Sequence, residues 1–269
     1  MTLVKICGNR TPEDVIAAAE AGADFVGMVF ASSSRRVDVD QAQAMVRALG
    51  GPLAAHELAL PPQTITHARH DVEAWFQHGT QVIGRYLEAK RPLTVGVFAD
   101  QSIDEVNEIA EEAGVDLVQL SGDESWEDCL MIARQTIQVV HVSPLDSPSD
   151  PMALVEPGFA VALMLDAAHG PYRGGTGHTF DWEVARLVAG RMPMLLAGGL
   201  SPENVADAVR AWKVHRVKYT PANDPGSYGV DHSSLTYLMG PDGKFRTLIP
   251  HNTSAERMAE IVRSYLPKG

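Results

Sequence analysis

The stretch LTVGVFADQSIDEVNEIAEEAGVDLVQL, residues 93–120, decides the fold. Its ends, Leu93–Phe98 and Leu117–Leu120, are near-continuous apolar runs of strand length, the pattern of strands covered on both faces. Between them Ser102–Ala113 reads as a helix, opened by the acids Asp104 and Glu105 and closed at Gly114. A strand, a helix and a second strand within one short span point to a parallel pair joined by a crossover helix.

Working outward, the same unit recurs. Leu3–Cys7 is strand-like, and Thr11-Pro12-Glu13-Asp14 supplies an N-cap, a proline at the first helical position and first-turn acids. Phe25–Phe30 is the next strand and Val39–Leu49 the next helix. Beyond Leu120 come a helix near Trp126–Arg134, a strand at Val139–Val142, a short helical segment near Met152–Val155 and a strand at Ala160–Leu165. A helix at Asp181–Val188, a strand at Met194–Ala197 and a helix at Pro202–Trp212, capped by Ser201, complete seven units. An open doubly wound sheet competes with a closed barrel. The barrel is preferred because enough chain remains for an eighth unit.

The predicted fold is therefore a (β/α)8 TIM-type barrel with one extra helix inserted after unit two. Residues 51–92 break the rhythm. Their first half, with Pro61-Pro62, reads as loop, and Val72–Lys90 carries Trp75, Phe76, Ile83, Tyr86 and Leu87 at helical spacing. This helix is expected over the outside of the barrel. His56, His67, His70 and His78 have no carboxylate or cysteine at ligand spacing and read as solvated loop histidines, so no metal site is expected.

The chain has 269 residues, 45% apolar, with a net charge of −12. That balance disfavours nucleic acid and anionic membrane as partners. No apolar run approaches the roughly 18–20 residues of a membrane helix, and the N-terminus lacks a signal-peptide pattern, so a cytoplasmic location is expected. Cys7 and Cys129 form no CxxC pair.

In such a barrel, chemistry collects at the C-terminal ends of the strands. Cys7 ends strand one and Asp166 follows the apolar run of strand six. The loops Gly174-Gly175-Thr176-Gly177 and Gly198-Gly199 follow strands six and seven. Each has a plainer reading, as an inert buried thiol, a loop cap or an ordinary turn. Their joint placement on one barrel face favours chemistry: a thiolate and a carboxyl form an acid–base pair, and glycine-rich loops offer backbone N–H groups to a phosphate.

The ordered set Lys5-Ile6-Cys7-Gly8, Gly22-Ala23-Asp24-Phe25-Val26-Gly27, Ser34-Arg35, Val95-Gly96-Val97-Phe98, Val118-Gln119-Leu120 with Gly122-Asp123-Glu124, Leu165-Asp166, Gly174-Gly175-Thr176-Gly177 and Ala197-Gly198-Gly199-Leu200 resembles the phosphoribosylanthranilate isomerase family. The resemblance covers residues 3–211. It implies an Amadori rearrangement in tryptophan biosynthesis, with Asp166 as general acid and Cys7 as general base. It also implies Arg35 at the anthranilate end of the substrate, and Gly175, Gly177, Gly198 and Gly199 at its phosphate. No metal or organic cofactor is implied; the partner is a small sugar phosphate, and the protein is a monomer or homodimer. One departure stands out: the family usually carries histidine where this chain has Ser121.

The tail departs further. In place of the family's last unit the chain runs Tyr228-Gly229-Val230-Asp231-His232-Ser233, then two strand-like runs around Gly240-Pro241-Asp242-Gly243, a β-hairpin signal, then a helix at Ala255–Leu266. Residues 214–266 resemble the C-terminal part of the Sco/SenC copper-chaperone family, in which the histidine matching His232 binds copper beside two cysteines that are absent here. The expected organisation is residues 1–212 as units one to seven and 213–269 as an atypical eighth unit, with Val214–Tyr219 or Ser233–Met239 as substitute strand. Two further readings are an inactive chimeric barrel and a copper-binding, thioredoxin-like module acting through the tail.

Overall fold

The computed structural model describes residues 3–54, 71–142, 151–169, 172–173, 182–198, 216–218, 236–239 and 245–249. In chain order the elements are β1 (Leu3–Cys7), α1 (Pro12–Glu20), β2 (Phe25–Val29), α2 (Val39–Ala48), α3 (Val72–Ala89), β3 (Leu93–Phe98), α4 (Ile103–Ala113), β4 (Leu117–Leu120), β5 (Gln135–Val142), β6 (Ala162–His169), β7 (Tyr172–Arg173), α5 (Trp182–Ala189), β8 (Leu195–Leu196), β9 (Arg216–Lys218), β10 (Thr236–Met239) and β11 (Phe245–Ile249).

Local chemistry accounts for the helix starts. Thr11 and Asp38 each form a reciprocal capping box, with Asp14 and Gln41 respectively. Ser102 caps α4, and Gly114 ends it at φ 71°, a left-handed conformation that glycine adopts without a Cβ penalty.

A curled parallel sheet runs through β5, β4, β3, β2 and β1, and through β8 and β6. β5 also pairs in parallel with β6, and the three residues of β9 pair in parallel with both β1 and β8. The described parallel strands are thus joined in a ring. Of the two stretches expected to supply a substitute strand, it is the 216–218 portion that pairs there. Thr236–Met239 pairs antiparallel with Phe245–Ile249 in a separate two-stranded sheet.

One expected helix is shorter than the sequence suggests, and a second, short one begins a residue earlier. Trp126–Arg134 contains only a 3-10 turn at Glu127–Met131, and the segment near Met152 is a 3-10 turn at Pro151–Leu154. In the first case Asn107 of α4 donates to Met131 O at 2.9 Å and accepts from Ala133 N at 2.8 Å, drawing the chain out of helix into β5. The expected helix Pro202–Trp212, the loop at 55–70 with His56, His67 and His70, the residue His232 and the helix Ala255–Leu266 lie outside the described residues.

The inserted helix α3 does not lie simply on the outside of the barrel. Its Val82, Ile83, Tyr86 and Leu87 belong to one buried cluster with Phe25, Leu93, Leu117, Ala162 and Leu195, the first residues of five strands. Burying such side chains contributes about 2 kcal/mol each. Trp75 Nε1 donates to Ala160 O at 2.7 Å, just before β6. Gly79 lies so close to the Val161 carbonyl that a Cβ there would overlap it. Phe76, nearer the helix start, packs instead with the outward-facing Leu163, Leu165 and Leu196. The helix therefore begins on the outer face of β6 and crosses toward the N-terminal mouth of the barrel. His78 sits on this helix, not in a loop. Burial and the neighbouring Arg85 lower its pKa.

The insertion is pinned by Asp116, which is fully buried. Its carboxylate accepts from Leu53 N at 2.8 Å, Thr94 N at 2.7 Å, Thr94 Oγ1 at 2.8 Å and Lys90 Nζ at 2.6 Å. Among the described residues no helix is long and apolar enough to cross a membrane.

Candidate active site

The strand registers sort side chains into two sets. Lys5 and Cys7 stand opposite Phe25 and Gly27, which stand opposite Leu93 and Val95; Val95 and Val97 in turn stand opposite Leu117 and Gln119. Ile137, Val139 and His141 stand opposite Ala162, Met164 and Asp166. Phe25, Leu93, Leu117, Ile137, Val139, Ala162 and Met164 form the apolar interior cluster, whereas Leu163 and Leu165 pack outward with helix residues. Alternation along a strand then directs Lys5, Cys7, Gln119, His141 and Asp166 into the same interior.

That interior is polarised along its axis. The N-terminal ends of the strands contribute Phe25, Leu93, Leu117 and Leu195. The C-terminal half holds Cys7 (1% exposed), Gln119, Ser121 and Asp166 (1% exposed). Buried polar groups without an apolar alternative mark a place where a polar ligand is expected.

Cys7 lies at the last position of β1. Asn9 fixes the turn that follows: its Nδ2 donates to Ile6 O at 3.1 Å and Gly27 O at 3.0 Å, while Gly8 N and Asn9 N also donate to Gly27 O. Gly27 itself leaves room for the thiol. A Cβ at Gly27 would overlap Cys7 Sγ and stand 2.8 Å from Lys5 Nζ, so the sulfur and the lysine nitrogen converge on one point.

Asp166 was expected at the end of its strand. It lies within β6, which continues to His169 because Ala168 and His169 turn back to pair with Arg173 and Tyr172. The parallel pairing with β5 nevertheless ends one residue later, at Val142 and Ala167, so Asp166 keeps its place at the C-terminal rim.

Arg35 follows β2 and is 7% exposed, with its backbone N–H donating to Ser33 Oγ at 3.2 Å. Val37 N donates to Val29 O at 2.9 Å, returning that loop to the strand end. Of the four expected phosphate glycines, Gly198 is described: it is buried at φ 75°, two residues beyond the end of β8. Gly175, Gly177 and Gly199 lie outside the described residues.

Several further groups at this rim carry no role in the sequence motifs, although Gln119, Ser121, Asp123 and Glu124 fall within or beside them. The loops after β3 and β4 interlock: Asp100, at φ 64°, donates from its N–H to Glu124 Oε1 at 2.6 Å, and its carboxylate accepts from Asp123 N at 2.7 Å. Glu124 also accepts from Gly122 N at 2.7 Å. Burial raises its pKa, partly opposed by these backbone N–H groups. Gln119 Nε2 donates to Ser121 Oγ at 2.7 Å, and His141 Nε2 lies 2.9 Å from Ser121 O. For Asp100 and His141 the signal in the sequence is strand-end placement alone. Among the described residues no cluster of three or more histidine, cysteine or acidic side chains suits a metal ion.

A ring of parallel strands with helices outside, carrying Cys7, Asp166 and Gly198 toward its C-terminal rim, defines the class: a parallel α/β barrel. The family profile described as N-(5'-phosphoribosyl)anthranilate (PRA) isomerase matches residues 57–234, more than half of the chain. The chain belongs to that family.

Relatives agree with this. The chain is 32% identical over 218 residues to the N-(5'-phosphoribosyl)anthranilate isomerase of Dehalococcoides mccartyi, covering 79% of this chain and 83% of that one. It is 33% identical to the Acinetobacter calcoaceticus enzyme of the same name over 214 residues, 78% of this chain and 81% of that one. A tryptophan biosynthesis protein of Phytophthora nicotianae is 36% identical over 220 residues, 77% of this chain, but the match spans only 40% of that longer protein. The fold resembles the crystal structure of phosphoribosyl anthranilate isomerase from Thermotoga maritima with a TM-score of 0.59 at 24% identity, covering 98% of this chain and 100% of that one.

Proposed function

We propose that the chain isomerises N-(5-phosphoribosyl)anthranilate to 1-(2-carboxyphenylamino)-1-deoxyribulose 5-phosphate, the aldose–ketose step of tryptophan biosynthesis. The observation that carries the reading is the convergence of Cys7 and Asp166 on one interior from the C-terminal halves of β1 and β6.

The chemistry needs one proton delivered and one removed. Asp166, protonated, donates to the furanose ring oxygen; the C1–O bond breaks as the anilinic nitrogen lone pair forms a C=N bond. Cys7, as thiolate, takes the proton from C2, and the C2–H electron pair becomes the C1=C2 bond while the C=N electrons return to nitrogen. The enolamine then moves a proton to C1 and becomes the ketone. Arg35 pairs with the anthranilate carboxylate. Gly175, Gly177, Gly198 and Gly199 hold the phosphate through backbone N–H groups. No metal or organic cofactor takes part.

Residues 1–212 form units one to seven with the insertion at 51–92, and the 213–269 segment completes the barrel. Arg216–Lys218 acts as the eighth strand, and the helix expected at Ala255–Leu266 covers it. The parallel pairing of β9 with β1 and β8 supports this, as does a family match that continues past residue 212. The substrate is a small sugar phosphate, the location cytoplasmic, and the assembly a monomer or homodimer.

The test is fluorescence-monitored consumption of phosphoribosylanthranilate by the intact chain, Cys7→Ala and Asp166→Asn. Each substitution is expected to lower kcat by at least about a hundredfold. Turnover by the intact chain that survives either substitution would discard the acid–base pair.

A further inference from the structure

His141 is the last inward-facing residue of β5 before its parallel pairing ends, in direct register with Asp166. Its Nε2 lies 2.9 Å from the carbonyl oxygen of Ser121. A carbonyl only accepts, so Nε2 carries the hydrogen, and in the neutral ring Nδ1 is left as an acceptor. That Nδ1 is buried and has no partner among the described residues.

Two more buried polar atoms of the same interior, Lys5 Nζ and Gln119 Oε1, also lack a partner among the described residues. Native proteins leave few such groups unsatisfied, because each costs free energy. Three of them facing one space, beside Cys7 and Asp166, mark donors and acceptors held ready for a ligand. The ring at position 141 is oriented by the backbone carbonyl of Ser121.

We propose that His141 is a substrate-contacting residue whose Nδ1 accepts a hydrogen bond from a hydroxyl or N–H of the sugar–anilide ligand next to Asp166. The inference rests on the isomerase reading and adds a contact to it. Its physical content is orientation: one ring acceptor fixed by a backbone carbonyl, holding the ligand so that the ring oxygen meets the Asp166 carboxyl.

The discriminating variant is His141→Gln. A glutamine amide reaches the position of Nε2 and keeps the bond to Ser121 O, but it offers nothing at Nδ1. The expected result is a fall of about tenfold in kcat/KM with an unchanged Tm. In calorimetry, affinity for reduced 1-(o-carboxyphenylamino)-1-deoxyribulose 5-phosphate should fall by a similar factor. His141→Asn, which replaces Nδ1 rather than Nε2, should bind more tightly than His141→Gln. His141→Gln with turnover and binding within twofold of the intact chain overturns the proposal, and so does a loss that tracks a lowered Tm. No turnover by the intact chain would count against the isomerase reading; the binding measurement still decides the role of His141.

Discussion

Gly27 is the space into which Cys7 projects. A Cβ on Gly27 would overlap Sγ of Cys7 and lie 2.8 Å from Lys5 Nζ and 3.0 Å from Cys7 Cβ. Gly27→Ala must therefore move the thiol off its rotamer or push β1 from β2. Activity is expected to drop at least tenfold, since small misplacement of a reacting group is costly. Stability should fall by about 1–3 kcal/mol. Kinetics beside a urea melt would check this; an active Gly27→Ala enzyme would mean the sulfur is not the base.

Asp116 holds four donors while fully buried, and Lys90 Nζ forms an ion pair with it. Asp116→Ala would leave Leu53 N, Thr94 and Lys90 with buried, unpaired donors. A loss of about 3–5 kcal/mol is expected. Because these donors come from both ends of the insertion, residues around 51–92 should become protease-sensitive first, which limited proteolysis followed by mass spectrometry would reveal.

Gly79 meets the Val161 carbonyl where α3 passes β6. Gly79→Ala raises helix propensity yet blocks that approach, and backbone cannot yield as a side-chain end can. The expected balance is destabilising by about 1–3 kcal/mol. Gly84, where a Cβ meets nothing, is the control: Gly84→Ala should stabilise by up to about 1 kcal/mol. Thermal melts of the two variants moving in the same direction would refute this placement of the helix.

Cys129 is buried, and burial pushes its thiol up to about 11. At pH 8 it should resist iodoacetamide in the folded protein and react in urea. The linkage has a definite sign. A raised folded pKa means the native state binds the proton more tightly, so stability is full below the ordinary thiol range and is lost as pH rises from about 9 toward 11. Cys129→Ala should flatten that decline, measured by urea melts across the same pH range.

Much of the fold was legible locally. Thr11, Asp38 and Ser102 announce their helices through short-range capping, and β3 and β4 fall where their apolar runs lie. The helix expected at Trp126–Arg134 was not, because Asn107, 24 positions from Met131 in the chain, intercepts its backbone groups. The placement of α3 was equally hidden: its apolar spacing predicts a buried face but not which surface buries it.

The chain's own pattern determined the alternation of strands and helices and singled out Cys7 and Asp166, because capping and periodicity act over a few residues. Only the folded ring decided that those two side chains share an interior with Lys5, Gln119 and His141. Which residue stands opposite which depends on strand register, and register is fixed by packing between segments far apart in the chain.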